Sequence, residues 1–386
     1  MEIAERVKKM PIYLFSRIDE LKRRVNNTEL IDLGMGNPDL PAPSHGIEKL
    51  KSLLTDPSAH RYPPARGEEE LRRAIAQWYK QRYNVHLDPE REILPLIGSK
   101  EGIVMTYLTF LNPGDVAIVP TPCYPVHFNG VILAEGIPYT LSICKENNFL
   151  PDFSSVPERI LKKAKIIFIC YPNNPTTAVA NLEFFKEAVA FSEKYDLIIA
   201  HDFAYAEITF DGYRSPSLLQ VEGSRERGIE FYSFSKTYNM AGWRIGCVVG
   251  NSNLINSIFK TKCYVDFGLF SPLQRAAAFV LQSSQGCVEN ICKIYQRRRD
   301  VLVEGLKRCG WEIELPQATI YVWAPLPPPY SKLTSYEFSE FLVKKTGVVT
   351  SPGTGFGEGG EGYIRFALVE NEDKIKKAVE RISSVL

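Results

Sequence analysis

Short apolar runs rich in β-branched residues alternate with longer amphipathic stretches between about residues 93 and 250. Six runs have the length and composition of strands: EILPLIG, VAIVP, KIIFICYP, LIIAHD, GIEFYSFS and RIGCVVG. Between them, KEGIVMTYLTFLN and NLEFFKEAVAFSEKYD carry apolar residues at helical spacing. Strands that alternate with helices are typical of a mainly parallel sheet covered on both faces. We therefore predict an α/β domain whose sheet is sandwiched by helices.

The pattern changes in the C-terminal part of the chain. GCVENICKIYQRRRDVLVEGLKRCG predicts one long amphipathic helix, ATIYVWAPL and GYIRFALV predict short strands, and NEDKIKKAVERISSVL predicts a final helix. This order is typical of a smaller α+β unit. We expect a large domain over residues 45–285 and a small domain built from both chain ends, residues 1–44 and 286–386.

Composition and charge exclude several classes of protein. Among 386 residues, 46 Lys and Arg balance 45 Asp and Glu, so a basic surface for nucleic acid or anionic membrane is not expected. No apolar stretch approaches the ~18–20 residues that span a bilayer, and MEIAERVKKMPIYLF lacks the apolar core of a secretion signal. We expect a cytoplasmic protein with no nucleic-acid or membrane partner. The five histidines are dispersed without a metal-ligand spacing, so no metal site is predicted.

Polar clusters directly follow three of the predicted strands. They are YPNNPT with Asn174, HDFAY with Asp202 and Tyr205, and SFSK with Ser233, Ser235 and Lys236. Each cluster alone has an ordinary explanation as a turn, a helix cap or a polar surface segment. Together they lie where open α/β sheets bind ligands, at the carboxyl ends of the strands. The run GTGFGEGGEG also contains a GxGxxG match, but it precedes a strand, so we interpret it as a mobile glycine-rich loop rather than a dinucleotide site.

The segments YPNNPT, HDFAYAEI, SFSKTYNMAGWRIG and YIRFALV resemble the class I/II aminotransferases, which are pyridoxal-phosphate (PLP) enzymes of fold type I. The resemblance covers essentially the whole chain. HDFAYAEITFDGY and SFSKTYNMAGWRIG are most similar to bacterial alanine aminotransferases and LL-diaminopimelate aminotransferases. The resemblance implies a homodimer whose active site is shared across the interface, with an amino acid and a 2-oxo acid as substrates.

The resemblance also implies the catalytic groups. Lys236 would form the imine with the PLP aldehyde and then act as general base and acid at the substrate α-carbon. Asp202 would pair with the pyridine nitrogen, which keeps the ring protonated. Tyr205 and Asn174 would hydrogen-bond the phenolic oxygen of PLP, and the ring of Tyr124 would stack on the pyridine.

Further positions match residues that hold the phosphate and the substrate. The implied phosphate ligands are Arg244, the hydroxyls of Ser233 and Ser235, the amides of Ser99 and Lys100 at a helix N terminus, and Tyr62 from across the dimer interface. Arg365, Asn174 and the backbone at Gly36 would bind the substrate α-carboxylate. Lys100 is also a candidate to meet a distal carboxylate. The N-terminal segment MPIYLFSRIDELKRR is a candidate to fold over the site.

The chain departs from the commonest family pattern at Thr177, where glycine usually serves the turn. We interpret this change as the mark of a subgroup. Transamination is favoured over a carbon–sulfur lyase, which would need no amino acceptor. A PLP-binding transcriptional regulator is disfavoured because the aminotransferase pattern begins near the N terminus, and a catalytically dead relative because every chemical position is filled. Alanine–glutamate transamination is the favoured reaction, followed by that of LL-diaminopimelate and then aspartate.

Overall fold

The computed structural model describes residues 1–11, 14–25 and 29–386. Within these ranges the chain forms fifteen α-helices, twelve strands and several short 3₁₀ turns. The helices are α1 Glu5–Lys8, α2 Leu14–Arg24, α3 Ser44–Leu53, α4 Glu69–Tyr83, α5 Ser99–Phe110, α6 Pro125–Leu133, α7 Glu158–Leu161, α8 Leu182–Lys194, α9 Ser224–Arg227, α10 Phe234–Thr237, α11 Ser252–Val265, α12 Ser271–Gln282, α13 Gly286–Arg308, α14 Ser335–Thr346 and α15 Glu372–Ser383. The strands are β1 Ile31–Asp32, β2 Ile93–Leu96, β3 Val116–Thr121, β4 Ile137–Ser142, β5 Ala164–Cys170, β6 Ile198–Asp202, β7 Gly228–Ser233, β8 Gly246–Gly250, β9 Tyr321–Pro325, β10 Val348–Val349, β11 Ser351–Pro352 and β12 Tyr363–Ala367.

Seven strands form the central sheet in the order β2-β8-β7-β6-β5-β3-β4. Strand β8 runs antiparallel to both of its neighbours, and the other pairs are parallel. Helices cover both faces: on β5, Phe168 packs in one core with Ile103 of α5, while Ile169 packs in another with Phe185 of α8. Burial on both sides explains the near-continuous apolar runs of the central strands. The predicted α/β fold with a mainly parallel sheet is confirmed.

The edge strand β4 is the part of this sheet that the sequence did not reveal. Its residues, IPYTLS, are mostly exposed or half-buried, and only Leu141 is fully buried. A strand with one neighbour and little burial lacks the apolar run by which the inner strands are identified. Its place was therefore set by pairing with β3, along residues 137–142.

A second layer contains the smaller sheets. Strands β11, β12 and β9 form a three-stranded antiparallel sheet, and β1 pairs in parallel with β10, so residues from the beginning and the end of the chain meet here. Helices α13, α14 and α15 cover this layer through a core that includes Leu302, Phe338 and Ile375. In this core, Trp311 also packs against Phe338.

The structure adds detail to two of the predicted segments. The glycine-rich run forms two 3₁₀ turns, Gly353–Phe356 and Glu358–Gly360, and the Cys123 amide donates to the carbonyl of Phe356 at 2.8 Å. In the N-terminal segment, residues 12 and 13 lie outside the described residues, and Ile18 of α2 is buried against the second layer. In the part of the chain that is described, no helix has both the length and the apolar character needed to cross a bilayer.

Candidate active site

A cavity of about 310 Å³ opens at the carboxyl ends of β5, β6 and β7. Eleven of the thirteen residues singled out in the sequence line it: Gly36, Ser99, Lys100, Tyr124, Asn174, Asp202, Tyr205, Ser233, Ser235, Lys236 and Arg244. The topology brings them together because parallel strands end at one edge of the sheet and their following loops converge there. Arg365 lies behind the wall, and Tyr62 lies outside the cavity.

Lys236 projects from the single helical turn α10, which directly follows β7. The Ser233 hydroxyl starts this turn by accepting a hydrogen bond from the amide of Ser235 at 3.3 Å. The Lys236 ammonium donates to the carbonyl of Gly36 at 2.5 Å. Burial lowers the pKa of Lys236, and the nearby charges of Arg365 and Arg244 lower it further. The cavity therefore makes this amine easier to deprotonate than a lysine exposed to water.

Asp202 is the last residue of β6, and its carboxylate is held from two sides. Its Oδ1 accepts from the amide of Ala204 at 3.2 Å, and its Oδ2 lies 2.9 Å from Nε2 of His127 on α6. Both side chains are buried. His127 lies one helical turn after Tyr124, but it belongs to none of the polar clusters by which the sequence indicated the site.

The thiol of Cys170 completes a cluster in which His127, Cys170 and Asp202 place possible metal-ligand atoms within 4.8 Å of one another. The spacing in the sequence did not indicate this cluster. Burial raises the pKa of the Cys170 thiol well above its usual range. The contact that the structure shows between charged or polar groups of this cluster is the hydrogen bond between His127 and Asp202.

Three of the residues expected to bind the phosphate, Ser99, Lys100 and Arg244, lie at or beside the start of α5. Gly98 has φ +73°, and a Cβ there would lie 2.3 Å from the guanidinium of Arg244, so glycine makes room for this cation. The first amides of α5, from Ser99 onward, have no intrahelical acceptor and favour an anion. The Lys100 ammonium lies 5.6 Å from the ring centre of Tyr124. This corner combines positive charge with backbone donors, as phosphate binding requires.

Arg365 belongs to β12, the middle strand of the small antiparallel sheet. It is fully buried, and its guanidinium donates to Oδ1 of Asn174 at 2.7 Å and to the carbonyl of Gly34 at 3.0 Å. The guanidinium carbon lies 3.9 Å from the ring centre of Tyr321 and 4.5 Å from that of Phe356. These contacts fix the orientation of the guanidinium beside the cavity wall.

Tyr321, the first residue of β9, lines the cavity and was not singled out in the sequence, where ATIYVWAPL predicted only a strand. The hydroxyl of Tyr205 donates to that of Tyr321 at 3.1 Å. Burial raises the pKa of Tyr205 well above its ordinary value. Burial also opposes ionisation of Tyr321, but the charges of Arg365 and Lys236 outweigh it and lower the pKa of Tyr321.

Tyr62 lies on the surface, where 83% of it is exposed. Its ring is 4.8 Å from the ring of Phe267, and Tyr264 and Val265 are exposed in the segment just before Phe267. A tyrosine so placed does not reach the cavity of its own chain. The expected contact with the phosphate stays a prediction that requires a second copy.

Thr177, where the family pattern has glycine, has φ +63°. This left-handed conformation is uncommon for residues other than glycine, and it is unfavourable for a β-branched side chain. The structure therefore gives the physical reason for the usual glycine.

Comparison with known proteins supports the same interpretation. A family model for aminotransferase class I and II matches residues 28–382. LL-diaminopimelate aminotransferases from Syntrophobacter fumaroxidans and Moorella thermoacetica are 47% and 46% identical, over 98% and 100% of this chain and 97% and 99% of their own. Substrate-bound BacF from Bacillus subtilis superposes with a TM-score of 0.96 at 38% identity, covering 100% of this chain and 98% of its own. A probable N-succinyldiaminopimelate aminotransferase from Thermus thermophilus gives a TM-score of 0.90 at 34% identity, over 97% and 100%. The chain therefore belongs to the class I and II aminotransferases.

Proposed function

We propose that this aminotransferase uses LL-diaminopimelate as its amino donor and 2-oxoglutarate as its acceptor. The observation that carries the proposal is the identity of 46–47% over nearly the full chain to relatives named LL-diaminopimelate aminotransferase. The sequence alone favoured alanine as the donor and LL-diaminopimelate second. The names of these relatives reverse that order.

The family uses PLP, and three features of the cavity fit this group. Cationic and backbone donors meet at the N terminus of α5, where a Cβ at Gly98 would collide with Arg244. The carboxylate of Asp202 lies in the cavity wall, opposite in charge to a protonated pyridine. Lys236 is the amine that the aldehyde requires, and its pKa is lowered. When bound, PLP supplies an aldehyde that takes up the amino group and a ring that accepts the electron pair of the α-carbon.

The chain's own groups would then hold protons at defined atoms. Asp202 would keep a proton on the pyridine nitrogen, and the hydrogen bond from His127 fixes the direction in which its carboxylate points. Tyr205 would donate to the phenolic oxygen. The amine of Lys236 would take the proton from the α-carbon and return it, a role for which a lowered pKa is suited near neutral pH.

We assign the substrate α-carboxylate to Arg365. Arg365 is oriented by Asn174 and by the ring of Tyr321, so a bidentate pair with the α-carboxylate would need little reordering. The close approach at Gly36 leaves no room for a side chain, since a Cβ there would lie 2.0 Å from the Tyr321 hydroxyl. LL-diaminopimelate carries a second carboxylate, and Lys100 in the cavity wall is the cation that we assign to it.

We also propose that the enzyme is a homodimer. The exposed side chains of Tyr62, Tyr264, Val265 and Phe267 give one face an apolar character that a second copy would cover. Mixing subunits tests this assignment. Lys236→Ala and Tyr62→Ala are each expected to be defective as homodimers. In a mixed dimer, the site with an intact Lys236 receives an intact Tyr62 from the other subunit if Tyr62 acts across the interface, so one complete site forms. Activity that stays at the sum of the separate variants after mixing would contradict the proposal.

The substrate is tested by comparing donors with the purified, PLP-loaded enzyme. LL-diaminopimelate, N-succinyl-LL-diaminopimelate, alanine and aspartate are each supplied with 2-oxoglutarate, and the glutamate formed is measured. We expect kcat/KM for LL-diaminopimelate to exceed that for alanine by at least about tenfold, because only the former presents a distal carboxylate to a cation. A higher kcat/KM for alanine or for the succinylated donor would refute the proposal. Release of keto acid without an acceptor would indicate the lyase instead.

A further inference from the structure

Tyr321 has two contacts in the cavity that can be separated by substitution. Its hydroxyl lies 3.1 Å from the hydroxyl of Tyr205, and its ring centre lies 3.9 Å from the guanidinium carbon of Arg365. One end of the side chain therefore contacts the group expected to bind the cofactor. The other part contacts the group expected to bind the substrate.

The backbone around the hydroxyl leaves it little freedom. A Cβ on Gly36 would lie 2.0 Å from the Tyr321 oxygen, so the chain passes directly against it. Tyr321 is buried, with 3% of its surface exposed, and the Lys236 ammonium donates to the carbonyl of the same glycine. A hydroxyl confined in this way can form hydrogen bonds in only a few directions.

We propose that Tyr321 is a positioning residue, whose hydroxyl strengthens the hydrogen bond that Tyr205 gives to PLP and whose ring holds Arg365 ready for the α-carboxylate. The proposal rests on the function proposed above.

The role of the hydroxyl follows from the number of protons. Tyr205 has a single phenolic proton, which it donates to Tyr321 in this structure. If Tyr205 donates that proton to the phenolic oxygen of PLP, its own oxygen becomes an acceptor, and the bond with Tyr321 reverses. Tyr321 then donates to Tyr205, and hydrogen bonds in such a chain strengthen one another. The cations beside Tyr321, which lower its pKa, make it a better donor.

The role of the ring follows from its place against Arg365. A cation over an aromatic face is attracted to the ring, and the attraction is stronger at desolvated sites such as this one. The guanidinium is also in contact with the ring of Phe356 at 4.5 Å. Loss of the Tyr321 ring would leave Arg365 less well oriented. This loss would weaken substrate binding but would not change the pH at which the bound cofactor loses its proton.

Two substitutions separate the roles. Tyr321→Phe removes the hydroxyl and keeps the ring, whereas Tyr321→Leu removes both, with Tyr321→Met as a second aliphatic variant if the leucine variant fails to fold. The first measurement is the pH midpoint of the visible absorbance change of the PLP-loaded enzyme. The second is KM for the amino donor, measured beside kcat. Tyr213→Phe is the control, since it removes a hydroxyl that donates to the Ala180 carbonyl at 2.8 Å outside the cavity wall.

We expect Tyr321→Phe to raise the pH midpoint of the absorbance change by about 0.3–0.5 unit. Without the Tyr321 hydroxyl, the hydrogen bond from Tyr205 to the phenolic oxygen is weaker, and this bond stabilises the deprotonated form of the bound cofactor. Its KM should stay within about twofold of the parent. Tyr321→Leu should show the same shift and a KM raised about fivefold or more. An unchanged or lowered midpoint in Tyr321→Phe would overturn the role of the hydroxyl, and equal KM values in the two variants would overturn that of the ring. A parent enzyme without visible absorbance would instead refute the proposed function itself.

Discussion

Replacing Glu230 by alanine should destabilise the central sheet strongly. Glu230 lies on β7, is fully buried, and accepts four hydrogen bonds. The donors are the hydroxyls of Tyr79 at 2.9 Å and Ser217 at 2.7 Å, the amide of Leu218 at 2.9 Å and Nδ1 of His201 at 2.8 Å. Alanine removes the acceptor and leaves these donors without it in the core.

The expected loss can be worked out from this geometry. Removing one partner of a buried, hydrogen-bonded ionic group costs about 3–5 kcal/mol, and we take about 4 kcal/mol. An unfolding entropy of about 2.1 cal/mol/K per residue over 386 residues is about 0.8 kcal/mol/K. The apparent thermal midpoint should therefore fall by about 5 °C. Glu230→Gln keeps one acceptor oxygen but places an amide near donors, so we expect its thermal midpoint to fall by about 2 °C.

The assay is thermal unfolding of the PLP-loaded enzyme at one protein concentration and one scan rate. Glu226→Ala is the matched control, since Glu226 lies four residues away but is exposed, and it should change the midpoint by less than about 1 °C. A fall in Glu230→Ala no larger than in this control would show that the buried cluster does not stabilise the fold. A larger effect of glutamine than of alanine would refute the reasoning about unsatisfied donors.

Three further predictions follow from groups at or beside the site. Thr177→Gly should raise the thermal midpoint by about 1 °C, because glycine adopts φ +63° without the cost of a Cβ. The control Thr176→Gly should lower the midpoint, since it removes a hydroxyl that donates to Asn173 at 2.8 Å. The opposite order of the two midpoints would contradict the strain argument. The rate of PLP uptake by the PLP-free enzyme should rise with pH and reach a plateau below pH 10.5. The neutral amine is the reactive form, and burial lowers the pKa of Lys236 from its ordinary value of 10.5. A rate that reaches its plateau only above pH 10.5 would refute this prediction. Arg365→Lys should raise KM for the donor about 10–100-fold through loss of a bidentate charged pair. An unchanged KM would exclude Arg365 from carboxylate binding.

The sequence predicted the parts of the site that depend on strand ends. Asn174, Asp202 and Lys236 lie at or just after the ends of inner strands that are apolar on both faces. These strands are easily identified, and the topology brings their ends to one edge. The central parallel sheet was predicted for the same reason. The boundaries proposed at residues 44/45 and 285/286 stay a prediction.

Contacts between distant parts of the chain could not be predicted in this way. His127 meets Asp202 across 75 residues, and Tyr321 meets Tyr205 across 116 residues. Neither residue belongs to a polar cluster in the sequence. Each stands among apolar residues, as an ordinary core side chain would. Only the packing of α6 and β9 onto the main sheet brings them to the cavity.

The pairing of β1 with β10 also determines when the enzyme can become active during its synthesis. The ribosome delivers the strands of the central sheet, residues 93–250, well before β10 and β12. The carbonyl of Gly34, which accepts from Arg365 at 3.0 Å and from the Ser351 hydroxyl at 2.8 Å, must wait for partners more than 300 residues later. A nascent chain can therefore fold its sheet early, while the carboxylate corner forms only after the last strand has been made. Unfinished or C-terminally truncated chains would not catalyse transamination.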